Sequence, residues 1–221
     1  MDEKIVLQRI SAIEDNTEKL RNALFAMKIT DLQKYPTNYE ELSTDAALRA
    51  ERIACQLRNL IYATGITKKT VYMKKAAKTH GIQISGNAGI LTIRLPGLLP
   101  KRKAHVNTVF LNEPLHYALN EYLQQNPLPI YTNCVVCFVQ TYDGRLPLRR
   151  IRDYDNLEFK QILDTISPFI FKDDSGLYCD SYYTTILEDA DYTTVHIMDK
   201  SVFPEWLKSE KKLKSDLSEI S

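Results

Sequence analysis

The stretch YTNCVVCFVQTY, Tyr131 to Tyr142, carries apolar side chains at successive positions rather than at every second one. That is the pattern of a strand buried within a sheet, since a strand with one wet face alternates. Residues three apart on such a strand point to opposite faces. Cys134 and Cys137 are therefore read as core residues and not as half of a zinc site, for which no second cysteine pair exists. The predicted architecture is α+β: a mixed β-sheet with flanking helices over residues 81–200, preceded by an N-terminal α-helical hairpin and followed by a charged tail over 201–221.

The N-terminal part has helical period. Val6, Ile10, Ile13, Leu20, Leu24 and Met27, with Thr17 filling one slot, step by four and three and predict a heptad seam. Beyond KYPTNYEEL, Ala46, Ala50, Ile53, Leu57 and Leu60 continue that rhythm on a second helix. The seam is satisfied within the hairpin or by a second copy. A basic helix, KKTVYMKKAAKTHG, closes this extension over 1–80, with Gly81 as its C-cap. The chain then turns β-rich: IQIS-GNAG-ILTIRLPG predicts a hairpin. NEPLHYALNEYLQQN predicts an amphipathic helix with Pro114 near its first turn. YCDSYYTTILED and DYTTVHIMDK predict a closing antiparallel pair.

Charge is segregated along the chain despite a net charge of +1. Between Glu51 and Glu113 there is no acidic residue but eleven basic ones, whereas Asp153 to Asp191 holds ten acids against Lys160 and Lys172. A basic surface fits a polyanion, and an acidic cluster fits a cation or a solvated edge. The charged N-terminus is no signal peptide, no apolar run reaches membrane length, and four cysteines fit reduced thiols in the cytoplasm. Neither a phosphate-cradling glycine loop nor GxSxG or HExxH occurs.

The candidate chemistry lies in RRIRDYDNLEFKQILDTISPFIFKDDSG, which starts at Arg149. On an extended segment Asp153 and Asp155 share one face, with Tyr154 on the other. Paired carboxylates favour a hard cation, magnesium or manganese. A strand, helix and strand connection would return Asp173 and Asp174 to the same place. Converging carboxylates that hold metal ions stabilise in-line displacement at a phosphodiester. The helix that follows is predicted to stop at Ser167-Pro168, and the local alternatives to metal binding are a capping box from Asp155 to Glu158, turn chemistry in KDDSG and a surface pair between Lys160 and Asp164.

From Ile90 to Met198 the chain resembles the RusA-type Holliday-junction resolvases, small dimeric magnesium-dependent endonucleases of bacteria and their prophages that act in DNA recombination and repair. ILTIRLPGLLPKRK is similar to the family's first strand and basic DNA-facing loop, and PIYTNCVVCFVQTY to its second long strand. RDYDNLEFKQILDTI is similar to its D-x-D-N signature and helix, and FKDDSG to its late acidic turn. The resemblance implies that Asp153, Asp155 and Asp174 hold Mg2+ (or Mn2+), with Asp173 beside them, Asn156 orienting them and Lys160 assisting catalysis. It also implies phosphate contacts from Lys101, Arg102, Lys103, Arg149, Arg150 and Arg152, and a homodimer on four-way or other branched DNA. Phe159 stands where the family carries its lysine, with Lys160 one residue late. The competing readings are a non-catalytic DNA-binding or interaction protein on a degenerate resolvase scaffold, and another magnesium-dependent nuclease or phosphotransferase.

Overall fold

The computed structural model describes residues 3–64, 67–99 and 109–218, in two units, Met1–Val71 and Tyr72–Ser221. In the first, α1 (Glu3–Ile29) and α2 (Pro36–Thr64) pack against each other as a helical hairpin. Proline at the first position of α2 costs nothing, because a helix leaves that N–H without a partner. The seam is offset from the predicted one. Val6, Ile13, Asn16, Leu20, Ala23 and Met27 turn inward from α1, while Ile10, Thr17 and Leu24 are exposed. On α2 the inward set is Leu42, Ala46, Arg49, Ile53, Gln56 and Leu60, with Ala50 and Leu57 exposed. Ala23 and Ala46 are buried, small enough for the backbones to approach. Asn16 Nδ2 donates to Gln56 Oε1 at 3.1 Å and fills one layer with a polar pair.

The second unit takes most of α3 (Lys69–His80), so the division falls inside the basic helix and not after it. Gly81, at φ +80°, ends that helix in the left-handed conformation, and Ile82 N–H bonds back to Ala77 O at 3.0 Å. Five strands follow: β1 (Gln83–Asn87), β2 (Ile90–Leu95), β3 (Cys134–Asp143), β4 (Cys179–Glu188) and β5 (Tyr192–Asp199). The sheet order is β1-β2-β5-β3-β4, with β3 and β4 parallel and the other pairs antiparallel. It is the predicted mixed sheet, but the predicted pairing of the last two strands does not form. β3 lies between them, because its apolar sides demand neighbours on both edges as well as cover on both faces.

The two faces of β3 divide as its alternation requires. Cys134, Val136 and Phe138 join the core formed with α4 (Val109–Gln125) and α5 (Lys160–Ile170). Val135, Cys137 and Val139 pack with Trp206 of α6 (Phe203–Ser218). The charged tail thus begins as a helix that covers the sheet through Trp206. All four cysteines are free, and burial pushes the Cys137 thiol up to about 12. α4 starts at Val109, earlier than the predicted stretch from Asn112, so Pro114 lies inside it just beyond the first turn, and α5 runs through Pro168 to bury Ile170 instead of stopping there.

Candidate active site

α5 connects the parallel strands β3 and β4, and the acidic residues lie on either side of it. On its N-terminal side, Tyr154–Asn156 form a 3-10 turn rather than an extended segment. Tyr154 is half-buried: its ring stacks on Tyr183 at 5.7 Å, and its hydroxyl lies 3.0 Å from Thr185 Oγ1. Asp153 and Asp155, on either side of that anchor, are exposed.

The capping box is absent. α5 begins at Lys160, its N-cap is Phe159, and no side chain caps it. Asp153 makes no cap bond to the 3-10 turn either. Local helix chemistry therefore does not engage these carboxylates, and among the described residues neither has an ion-pair or side-chain hydrogen-bond partner. Two free carboxylates suit magnesium, which keeps several waters and is completed by substrate phosphate oxygens.

Asp173 and Asp174 lie beyond the other end of α5. Asp173 Oδ1 accepts from Ser175 N–H at 2.9 Å, the predicted turn chemistry, and Asp174 is exposed. Asp174 is close enough to Cys179 for its charge to raise that thiol's pKa, although the hydrogen bond from Cys134 dominates and holds it low. Tyr183, on which Tyr154 stacks, is four residues further along β4 than Cys179, about 13 Å at the usual rise of a strand. The two acid pairs are set apart along the sheet, and among the described residues no three acidic, histidine or cysteine side chains converge in metal-holding geometry.

The basic residues divide by role. Arg150 forms a bidentate pair with Asp191, both contacts at 2.6 Å, and donates to Asp143 O at 2.9 Å. Asp191 also accepts Asp143 N–H at 2.7 Å, and Arg150 holds the Asp191 carboxyl below its ordinary range. Arg145 bonds Asp143, whose carboxyl is held down to about 2, and Asp189 O. These contacts fasten the loop after β3 to the connection between β4 and β5. Arg149 and Arg152 are exposed, and among the described residues their guanidinium groups have no partner. Lys160 reaches forward to Asp164 at 2.7 Å. Lys101, Arg102 and Lys103 lie outside the described residues, as does the Asn156 side chain.

Phe159 is buried against Phe138 and Tyr183, with centroids at 4.7 and 4.5 Å. Beside it a cleft of about 370 Å3 is lined by Tyr154, Asp155, Glu158, Lys160 and Tyr183, among others. Glu158, buried at 6% exposure, was read from sequence only as a capping partner. Its setting between Leu157 and Phe159, both buried, was the available signal for an inward-facing acid.

These features define an α+β protein with a mixed five-stranded sheet, an N-terminal helical region and a carboxylate pair before the crossover helix. The chain belongs to DUF6100, a family of unknown function, which it matches over residues 2–221. No curated protein matches it. Among the described residues no helix is long and apolar enough to cross a membrane.

Proposed function

We propose that the chain is a magnesium-dependent, structure-selective endonuclease that cleaves phosphodiesters in branched DNA, acting in the cytoplasm as a homodimer. The observation that carries this reading is the free pair Asp153 and Asp155, with no local bond engaging either carboxylate, beside the unpaired cations Arg149 and Arg152. The ordered resemblance to RusA-type resolvases supplies the reaction class. Asp153 and Asp155 hold the ion, and Arg149 and Arg152 hold backbone phosphates, so recognition follows DNA shape and affinity falls with salt. A Mg2+ ion held by Asp153 and Asp155 would supply an activated water and charge neutralisation at a scissile phosphate. Asp174 joins this group only through a rearrangement or across the dimer.

Manganese binding tests the assignment. Electron paramagnetic resonance of Mn2+ titrated into the protein and a four-way junction should show a site lost in Asp153→Asn and Asp155→Asn. Loss in Asp174→Asn as well would show that the second acid pair reaches the ion. Unchanged Mn2+ binding in the Asp153 and Asp155 variants would refute the assignment.

A second reading is favoured by Phe159, whose ring fills the core where the resolvases carry a lysine. In it the chain binds DNA or a partner without cleaving. Junction binding with no nicking at any metal concentration would select it.

A further inference from the structure

The cleft beside α5 has walls of a kind that neither a metal ion nor a phosphate uses. Phe138 and Tyr183, partners in the β3–β4 register, lie 5.7 Å apart at 19°. Tyr154 extends the stack on Tyr183 at 26°, and Phe159 closes it from the chain leading into α5. Together with Leu157 and Leu163 these rings line a space of about 370 Å3, within the range of small-ligand sites.

Its polar lining is acidic. Asp155 is exposed; Glu158 is 6% exposed as a residue, its carboxylate oxygens remain accessible and, among the described residues, they have neither a hydrogen bond nor an ion pair. Among the described residues the one cation lining the cleft, Lys160, reaches to Asp164. A carboxylate at the mouth of an aromatic cleft gains a partner from an occupant that brings positive charge and N–H donors. Aromatic faces attract cations, and a planar guanidinium both stacks on a ring and bonds a carboxylate through two parallel N–H groups. An anion would meet Asp155 and Glu158, and a purely apolar ligand would leave Glu158 unpaired.

We propose that this cleft binds a guanidinium group, stacked against the Tyr154 and Tyr183 wall and held by Glu158. The source is either the arginine side chain of a partner or a free guanidinium compound. Glu158, Tyr154 and Tyr183 have no part in the proposed metal site, whereas Asp155 lines both, so guanidinium binding is measured without divalent metal and its failure is separable from a failure of cleavage.

The test is a titration of the full chain followed by NMR of the Tyr154 and Tyr183 rings. The probes are N-acetyl-arginine-N-methylamide, agmatine, the neutral isostere N-acetyl-citrulline-N-methylamide and guanosine monophosphate. Saturable shifts with the arginine derivative and none with citrulline are expected, as is an affinity about ten-fold weaker in Glu158→Gln, which loses the charge-assisted pair. Tyr154→Leu, which removes one stacking face at a half-buried position, should also weaken binding if Glu158→Gln does not fold. Tighter binding of agmatine would identify a free compound, and tighter binding of the arginine derivative a partner chain. Equal binding of citrulline, saturation by guanosine monophosphate alone, or variants with unchanged affinity would overturn the proposal.

Discussion

The ring of Phe159 lies 4.5 Å, centroid to centroid, from that of Tyr183, at the position where the resolvase resemblance expects a lysine. Phe159 is a packing residue in this chain, and restoring the lysine should not restore a catalytic group. Phe159→Lys places a charge among Phe138, Leu157 and Tyr183, and Phe159→Ala leaves a cavity. Each should lower stability by about 3 kcal/mol or more in urea unfolding. A Phe159→Lys variant as stable as the parent would contradict this placement.

Arg150 and its neighbours should separate cleanly. Arg150→Ala breaks the pair with Asp191 and should cost about 1 kcal/mol of stability, the group being partly exposed. Arg149→Ala and Arg152→Ala should change stability by less than about 0.5 kcal/mol. Each should instead weaken junction binding and reduce the salt slope by about one. Thermal melts and anisotropy titrations at several salt concentrations would distinguish the two kinds of arginine.

His196 gives the protein an acid-sensitive step. It is half-buried under Trp206, with Nδ1 3.0 Å from Thr92 Oγ1, and burial lowers its pKa to about 4 from 6.5. Between those values the unfolded chain takes up a proton that the folded chain refuses. Stability is therefore full above about pH 6.5 and declines as pH falls toward 4, by about 2–3 kcal/mol. His196→Gln should flatten that part of the stability profile relative to the parent. Identical profiles would count against it.

The β1–β2 turn holds a removable strain. Asn87 pairs with Ile90, leaving a two-residue loop in which Ala88 sits at φ +49° and Gly89 at +78°. Asparagine tolerates that backbone better than alanine, and Asn-Gly is the preferred pair for such a turn. Ala88→Asn should stabilise the fold by about 0.5–1 kcal/mol, raising the melting temperature.

Local periodicity made much of this fold legible. The placement of Cys134 and Cys137 on opposite faces follows from period two, and the helical hairpin follows from the steps of four and three. The seam was misread by one position because hydropathy favours Leu24 over Ala23 and Thr17 over Asn16. Close backbone approach and a cross-helix amide pair, which no single-helix pattern contains, decided otherwise. The order of β3, β4 and β5 was hidden for a related reason: two strands adjacent in sequence were parted by one whose first residue, Cys134, lies well before Cys179 at the start of β4. In the candidate site, the D-x-D pattern predicted Asp153 and Asp155 on one face of an extended segment, whereas they flank Tyr154 at a 3-10 turn. The absent capping box and the inward turn of Glu158 were not, because both depend on α5 starting at Lys160.

The central claim is that Asp153 and Asp155 serve cleavage. It is tested most directly by incubating a four-way junction with the parent protein and with Asp153→Asn/Asp155→Asn, with Mg2+ or with chelator, while measuring binding in the same samples. The account predicts paired nicks that require Mg2+ and disappear in the variant while junction binding persists. Nicking that survives in the variant, or a parent protein that binds the junction and never cuts it, would contradict the account.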